Sequence, residues 1–411
     1  MRKRVKRILW GVLGLLVAVY LGACIWVRAN ETRLIFPRST RYVAPPPSLA
    51  LNQQRLEFGE VDGTKLYAWI VPSLPSDPEN NWVLIFHGNG DNVSGGANFY
   101  DDWRAMGFNI MAPEYPGYLD SPGTPGEAII EREARLAYQY LRTVRQVPTR
   151  NIVLFGGSLG AAFAIDLATQ VEAGALVEHG GFTSIPAVGR VQFPFLPIDL
   201  LARTRLESEK KIGAVKMPVL LLHSTEDRVV PFSQAERLYL LAPSPKRLVR
   251  LRGPHTGPSG TELLNPRFLS EIATFLSTEG GIHLRQPLPS IAPVIAETMA
   301  SRGIEPALAQ YRSLLAETPR RYKFKEAELN GLGYQLLAAK RVEEAVAVLR
   351  LNTEQFPESF NVFDSLGDAY TAAGRDADAF RSYQQSVALW PDAKNPSRPR
   401  LEELQRKSGA R

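Results

Sequence analysis

Asn151-Ile152-Val153-Leu154-Phe155-Gly156-Gly157-Ser158-Leu159-Gly160-Ala161-Ala162-Phe163 runs an apolar strand into Gly-x-Ser-x-Gly and on into a helix rich in small residues. A serine on a sharp strand-to-helix turn needs very small neighbours two residues either side, because the backbone brings strand and helix too close for larger side chains. Gly156 and Gly160 supply them. The turn also sets the Ser158 hydroxyl at a helix amino terminus, where exposed amides favour developing negative charge. The string alone is a weak motif, and an ordinary glycine turn would read the same. Its strand-turn-helix setting is what gives it weight.

Around that stretch, between about residues 51 and 278, short β-rich runs alternate with helical ones, the pattern of an α/β domain with a mostly parallel sheet. The strand candidates are Lys65–Val71, Trp82–Phe86, Asn109–Ala112, Asn151–Phe155, Ala175–Glu178, Val219–His223 and Arg247–Leu251, and the clearest helices are Gly126–Arg145 and Ser158–Val171.

A serine hydroxyl is barely nucleophilic until a base takes its proton, and that base needs a carboxylate to orient it. Of the five histidines, His87, His179 and His223 end strands, His283 lies in a breaker-rich stretch, and His255 sits in Gly253-Pro254-His255-Thr256-Gly257 after a strand. For a serine on such a turn the chain order is serine, acid, histidine. Ser158, Asp227 and His255 satisfy it, with Glu226 as a rival acid. An oxyanion needs two facing amides. Leu159, next after the serine, should give one; the other should come from His87-Gly88-Asn89-Gly90-Asp91-Asn92, with Asn89 preferred over Gly90.

At these residues the chain resembles the α/β-hydrolase superfamily, and within it a membrane-anchored subgroup that includes protein depalmitoylases and lipid hydrolases. Leu34-Ile35-Phe36-Pro37, His87-Gly88-Asn89-Gly90, Glu114-Tyr115-Pro116-Gly117-Tyr118, Phe182-Thr183-Ser184 and Pro194-Phe195-Leu196-Pro197 carry the resemblance alongside the Ser-Asp-His set. It implies Ser158 as nucleophile, Asp227 as acid, which favours it over Glu226, His255 as base, and no metal or organic cofactor. Two departures stand near the site: Leu119 where the subgroup has a glycine, and Glu178-His179-Gly180-Gly181 in place of Glu-Ser-Pro. The expected chemistry is cleavage of esters or thioesters, with amides or peptides as an alternative on the same residues.

Toward the amino terminus, Ile8 to Val27 carry no charge over twenty residues. As a helix they reach about 30 Å, the depth of a bilayer core. The reading is an uncleaved signal anchor, with the following domain on the extracytoplasmic, periplasmic side of a bacterial inner membrane because Arg2, Lys3, Arg4, Lys6 and Arg7 precede the span. Leu21-Gly22-Ala23-Cys24 offers the alternative of a lipoprotein acylated at Cys24, although Ile25-Trp26-Val27 continue the apolar run. Residues 28–50, with Pro45-Pro46-Pro47, read as an extended connector. The five early cations account for most of the net charge of +6, so no nucleic-acid-binding face is implied. One cysteine excludes an intrachain disulfide and a Cys-based zinc site.

The expected organisation is an anchor over 1–30, a hydrolase domain over 31–278, a linker over 279–290 rich in Gly and Pro, and a helical domain over 291–411. In the last, Leu332, Gly333, Ala345 and Pro357 recur as Leu366, Gly367, Ala379 and Pro391, the 34-residue period of a tetratricopeptide hairpin. Ala307, Tyr311 and Pro319 read as a degenerate earlier hairpin, and residues 291–391 resemble the repeat-containing tail of bacterial serine hydrolases. Such repeats bind a protein partner or merely prop up the enzyme. A wholly non-catalytic tethered scaffold is the competing class. The short apolar stretch Val191–Pro197 reads either as a rim facing lipid or as core of a small cap.

Overall fold

The computed structural model describes residues 2–40, 42, 53–73, 80–255, 265, 267–393 and 395–409. Among the described residues eight strands form one sheet: β1 (Gln54–Val61), β2 (Thr64–Val71), β3 (Asn81–Phe86), β4 (Phe108–Glu114), β5 (Ile152–Gly157), β6 (Ala175–His179), β7 (Val219–Ser224) and β8 (Lys246–Leu251). Their order is β1-β2-β4-β3-β5-β6-β7-β8. The β1–β2 and β2–β4 pairings are antiparallel and the others parallel. This is the α/β-hydrolase fold.

Each strand read from the sequence is present, and β1 is an addition. Its alternation is blurred by Glu57, Gly59 and Glu60, it is half exposed, and its pairing shifts between Glu57 and Gly59. By contrast β3, β5, β6 and β7 are buried throughout. A parallel strand covered on both faces reads as a continuous apolar run, which is why these were legible. Leu84 and Leu154 face a core that holds α3 (Glu127–Thr143) and α4 (Leu159–Ala168). Val83 and Phe155 face the opposite core with α2 (Ala97–Ala105) and α7 (Phe268–Thr278). Between β6 and β7 lie α5 (Ile185–Gln192) and a short turn of helix over Ile198–Leu201, and α6 (Phe232–Leu241) follows β7.

The amino-terminal helix α1 spans Arg2–Ile35 and contains a segment long and apolar enough to cross a membrane. The expected extended connector from residue 28 is therefore corrected over its described part. No breaker interrupts the chain before Pro37, and a residue preceding proline resists helical backbone, so the helix ends there. Pro45, Pro46 and Pro47 lie outside the described residues. The helix is also not held off from the domain. Arg28 Nη1 donates to Leu201 O at 3.0 Å, and the buried Glu31 carboxylate accepts the Arg203 and Thr204 amides, both at 2.7 Å.

After Ile291 the chain is helical: α8 (Ala292–Arg302), α9 (Ile304–Leu315), α10 (Glu326–Ala338), α11 (Val342–Gln355), α12 (Phe360–Ala372), α13 (Asp376–Leu389) and α14 (Ser397–Gly409). A Cβ added at Gly333 of α10 would fall 2.5 Å from Leu349 of α11, and one at Gly367 of α12 would fall 2.4 Å from Tyr383 of α13. Both the glycines and the residues that press on them are 34 apart in sequence, so successive helix pairs close on each other at equivalent positions. This helical unit rests on α2. Lys325 Nζ lies 3.0 Å from Asp101 and 2.7 Å from Asp102, and Lys323 Nζ 3.2 Å from Asp102.

Candidate active site

Ser158 stands between β5 and α4 with φ 50° and ψ −112°, a backbone conformation that side-chain-bearing residues rarely hold. The flanking glycines make it feasible. A Cβ at Gly160 would lie 2.1 Å from Phe86 O, and one at Gly156 would lie 2.4 Å from Gly160 O. The Ser158 amide donates to His179 O at 2.7 Å, tying the turn to the end of β6.

The three residues singled out from separate loops meet. His255 Nε2 is 2.9 Å from Ser158 Oγ, and His255 Nδ1 is 2.5 Å from Asp227 Oδ2. Asp227 Oδ1 accepts the amides of Val229 at 2.8 Å and Val230 at 2.9 Å. Burial opposes ionisation of Asp227, but hydrogen bonds from His223, His255 and the Val230 amide outweigh it and hold the carboxyl well below the usual carboxylate range. Glu226 points elsewhere: its Oε2 accepts the Gly253 amide at 3.2 Å, bracing the loop that carries His255. Ser224 Oγ donates to Gly253 O in the same brace. Thr256 and Gly257 lie outside the described residues.

Asn89 and Gly90 line a pocket of about 190 Å³ together with Ser158, His255 and the aromatic rings of Phe99, Tyr100 and Phe155. Leu159 opens α4 directly after the serine. The loop holding Asn89 is fixed by side chains from the Glu114–Tyr118 stretch. Tyr115 donates to His87 O at 2.9 Å, Tyr118 donates to Asn89 O at 3.0 Å, and Glu114 accepts the Val93 amide at 3.2 Å. His87 Nε2 lies 3.2 Å from Glu114. Burial disfavours a charged His87, yet the neighbouring carboxylate prevails and raises its pKa. Leu119 holds φ 45°, which explains why a glycine suits that position.

Three groups went unassigned in the sequence. His223 is next to last in β7, with Nε2 donating to Val230 O at 2.8 Å and 3.4 Å from Asp227. Burial pushes the Glu178 carboxyl up to about 7, and burial with nearby His223 pushes His179 down to about 3. Glu178 accepts the Gly181 amide at 2.6 Å, and a Cβ at Gly180 (φ 67°) would sit 3.2 Å from His255 Cε1. Their position at strand ends beside the serine turn was the available signal. Among the described residues no group of three or more His, Cys, Asp or Glu is placed to hold a metal ion.

The uncharacterized protein Rv2307c of Mycobacterium tuberculosis is 32% identical over 267 residues, covering 65% of this chain and 94% of that one. The chain belongs to that protein's family, within the α/β-hydrolase superfamily. A further relative is the uncharacterized protein YfhR of Escherichia coli, 29% identical over 60% of this chain and 86% of its own. Mouse alpha/beta hydrolase domain-containing protein 17C is 31% identical over 49% of this chain, spanning 62% of its length. Among solved structures, the Pyrococcus furiosus esterase Pf2001 aligns with TM-score 0.46 and 19% identity over 58% of this chain and all of its own. The Thermogutta terrifontis esterase Est2 aligns with TM-score 0.45 and 20% identity over 55% of this chain and 94% of its own. No family model matches the chain. The relatives' alignments cover no more than 65% of it, a span about the size of the hydrolase fold.

Proposed function

We propose that this protein is a membrane-tethered serine hydrolase that cleaves carboxylic esters or thioesters through an acyl-enzyme. The observation that carries the reading is the continuous hydrogen-bonded chain from Ser158 through His255 to Asp227. His255 Nε2 takes the Ser158 proton as Oγ forms a bond to the substrate carbonyl carbon, and the carbonyl electron pair moves onto oxygen. The amides of Leu159 and Asn89 receive that oxyanion. As it collapses, the carbon to leaving-group bond breaks and His255 Nε2 gives the proton to the departing alcohol or thiol. Water then repeats the sequence on the acyl-serine and releases the acid. Asp227 keeps Nδ1 protonated and supports the positive charge on the ring.

The acyl part belongs in the pocket against Phe99, Tyr100 and Phe155. A cavity of about 150 Å³ holds a benzene ring, so this pocket takes the carbonyl end and first few methylenes of a chain. In this reading residues 1–30 anchor the enzyme uncleaved in a bacterial inner membrane with the domain outside the cytoplasm. The apolar run that continues through Ile25-Trp26-Val27 past Cys24 supports that over acylation at the cysteine. Residues 31–278 form the hydrolase unit, 279–290 the linker, and 291–411 a tetratricopeptide-like unit whose paired helices offer a protein partner a surface. The test is fluorophosphonate labelling of the full chain against Ser158→Ala, followed by a p-nitrophenyl ester chain-length series. Labelling that persists in the variant would overturn Ser158 as the nucleophile, and labelling that fails in a folded parent would overturn the reading in favour of a tethered scaffold.

A further inference from the structure

The segment between β6 and β7 presents two apolar side chains almost wholly to solvent: Phe195 is 87% exposed and Leu200 84%. Val191 on α5 and Leu34 on α1 are exposed as well. Natural surfaces rarely leave such groups together without something to cover them. The same segment grips the anchor helix. Arg28 bonds Leu201 O, and Glu31, buried, takes two consecutive main-chain amides at 2.7 Å. Two charge-assisted hydrogen bonds to one carboxylate join α1 to this segment.

The joint also sets a depth. Arg28 is the first charged residue after the apolar run, and it marks where α1 leaves the hydrocarbon. Leu201 accepts its hydrogen bond and lies at that level, with Leu200 adjacent and Phe195 five residues earlier. Apolar groups at an interface sink about 5–10 Å into the boundary between headgroups and acyl chains. Exposed Arg33 and Arg203 stand on the same two segments as cations for lipid phosphates, whereas Arg205 is paired with Glu207 and Arg190 with Asp199.

We propose that Phe195 and Leu200 seat in the lipid leaflet from which α1 emerges, so that the β6–β7 segment and the anchor helix form one membrane-binding surface. This rests on the reading of α1 as a spanning helix. It does not rest on catalysis.

The experiment uses the full chain in nanodiscs of phosphatidylcholine and phosphatidylglycerol brominated on the acyl chain. In a Cys24→Ser background, Phe195→Cys, Leu200→Cys and Val144→Cys each receive an environment-sensitive fluorophore. Val144 is an exposed control at the far end of α3, about 25 Å along a helix of this length from the end where Glu127 accepts the Arg205 amide. Bromine quenching several-fold stronger at 195 and 200 than at 144 is the expected result, with unfolding midpoints unchanged. Quenching equal to that at 144 overturns the proposal. A label on the native Cys24 separates the two failures: quenched there but not at 195 or 200, α1 spans and the surface does not touch lipid; unquenched at all three, the spanning reading fails too. Shielding that appears in detergent and grows with protein concentration assigns the patch to a second copy, which also overturns it.

Discussion

The Asp227 carboxylate is shared between two imidazoles: Oδ2 lies 2.5 Å from Nδ1 of His255 and 3.4 Å from Nε2 of His223. Its other oxygen is occupied by the Val229 and Val230 amides, so the carboxylate has little freedom to turn. Asp227→Asn keeps the shape but offers an N–H where His255 Nδ1 needs an acceptor, leaving the ring in the wrong tautomer. The expected loss in kcat is ~10⁴-fold, read with a p-nitrophenyl ester. Glu226→Gln preserves an acceptor for Gly253 and should lose about tenfold or less, since its role is to brace a loop. Equal losses in the two variants would reopen the choice of acid.

The serine turn makes a second prediction. Gly160→Ala places a Cβ 2.1 Å from the Phe86 carbonyl oxygen, a main-chain atom that cannot yield without displacing β3. A cost of about 3 kcal/mol or more is expected, near the top of the range for overpacking, together with loss of fluorophosphonate labelling. Gly126→Ala is the control, because a Cβ there meets nothing within 4 Å and the backbone is extended at φ −178°. Its urea midpoint should be close to the parent's.

What the sequence made legible follows burial. The central parallel strands are apolar throughout and were readable as strands, and the order of serine, acid and histidine followed from their loops. What it left out depends on contacts between elements distant in sequence. Nothing near Glu31 announces that its carboxylate will meet the amides of Arg203 and Thr204, so the end of α1 read as a connector instead of a docked helix. Phe193 and Phe195 look alike in sequence, and only packing separates the half-buried first from the exposed second. The oxyanion loop is a similar case: the Glu114–Tyr118 stretch was legible as a resemblance, while its hydrogen bonds to His87 and Asn89 give the physical reason for it.

Glu178 makes stability depend on pH. Its folded pKa, raised by burial to about 7, exceeds that of an exposed glutamate, about 4.3. Between those values the unfolded chain sheds the proton while the folded one retains it, so stability falls as pH rises and the loss is complete above the folded pKa. The loss amounts to about 4 kcal/mol at most. Glu178→Gln keeps an acceptor for the Gly181 amide and cannot ionise. It should match the parent near pH 4 and exceed it at pH 8 by up to that amount in urea unfolding. The low pKa of His179 acts in the opposite sense at acid pH, but it is common to both proteins and cancels in the comparison.

The ion cluster joining the helical unit to α2 carries the last prediction. Asp102 faces both Lys323 and Lys325, and Asp101 faces Lys325, with the Asp102 and Lys323 side chains nearly buried. Burial disfavours the Lys325 charge, but the two aspartates outweigh it and raise its pKa. Removing one side of a partly buried cluster leaves uncompensated charge, so single changes should cost more than the pair is worth. A double-mutant cycle of Asp102→Ala with Lys325→Ala should return a coupling of about 1–3 kcal/mol and change little with salt, because screening acts weakly on buried pairs. Since Phe99 and Tyr100 of the same helix line the pocket, the single variants should also raise KM for the longer p-nitrophenyl esters while leaving kcat for acetate near the parent value. Hydrogen exchange across α2 that rises in Asp102→Ala would tie the two effects to one cause, whereas unchanged exchange with an altered KM would place the effect elsewhere.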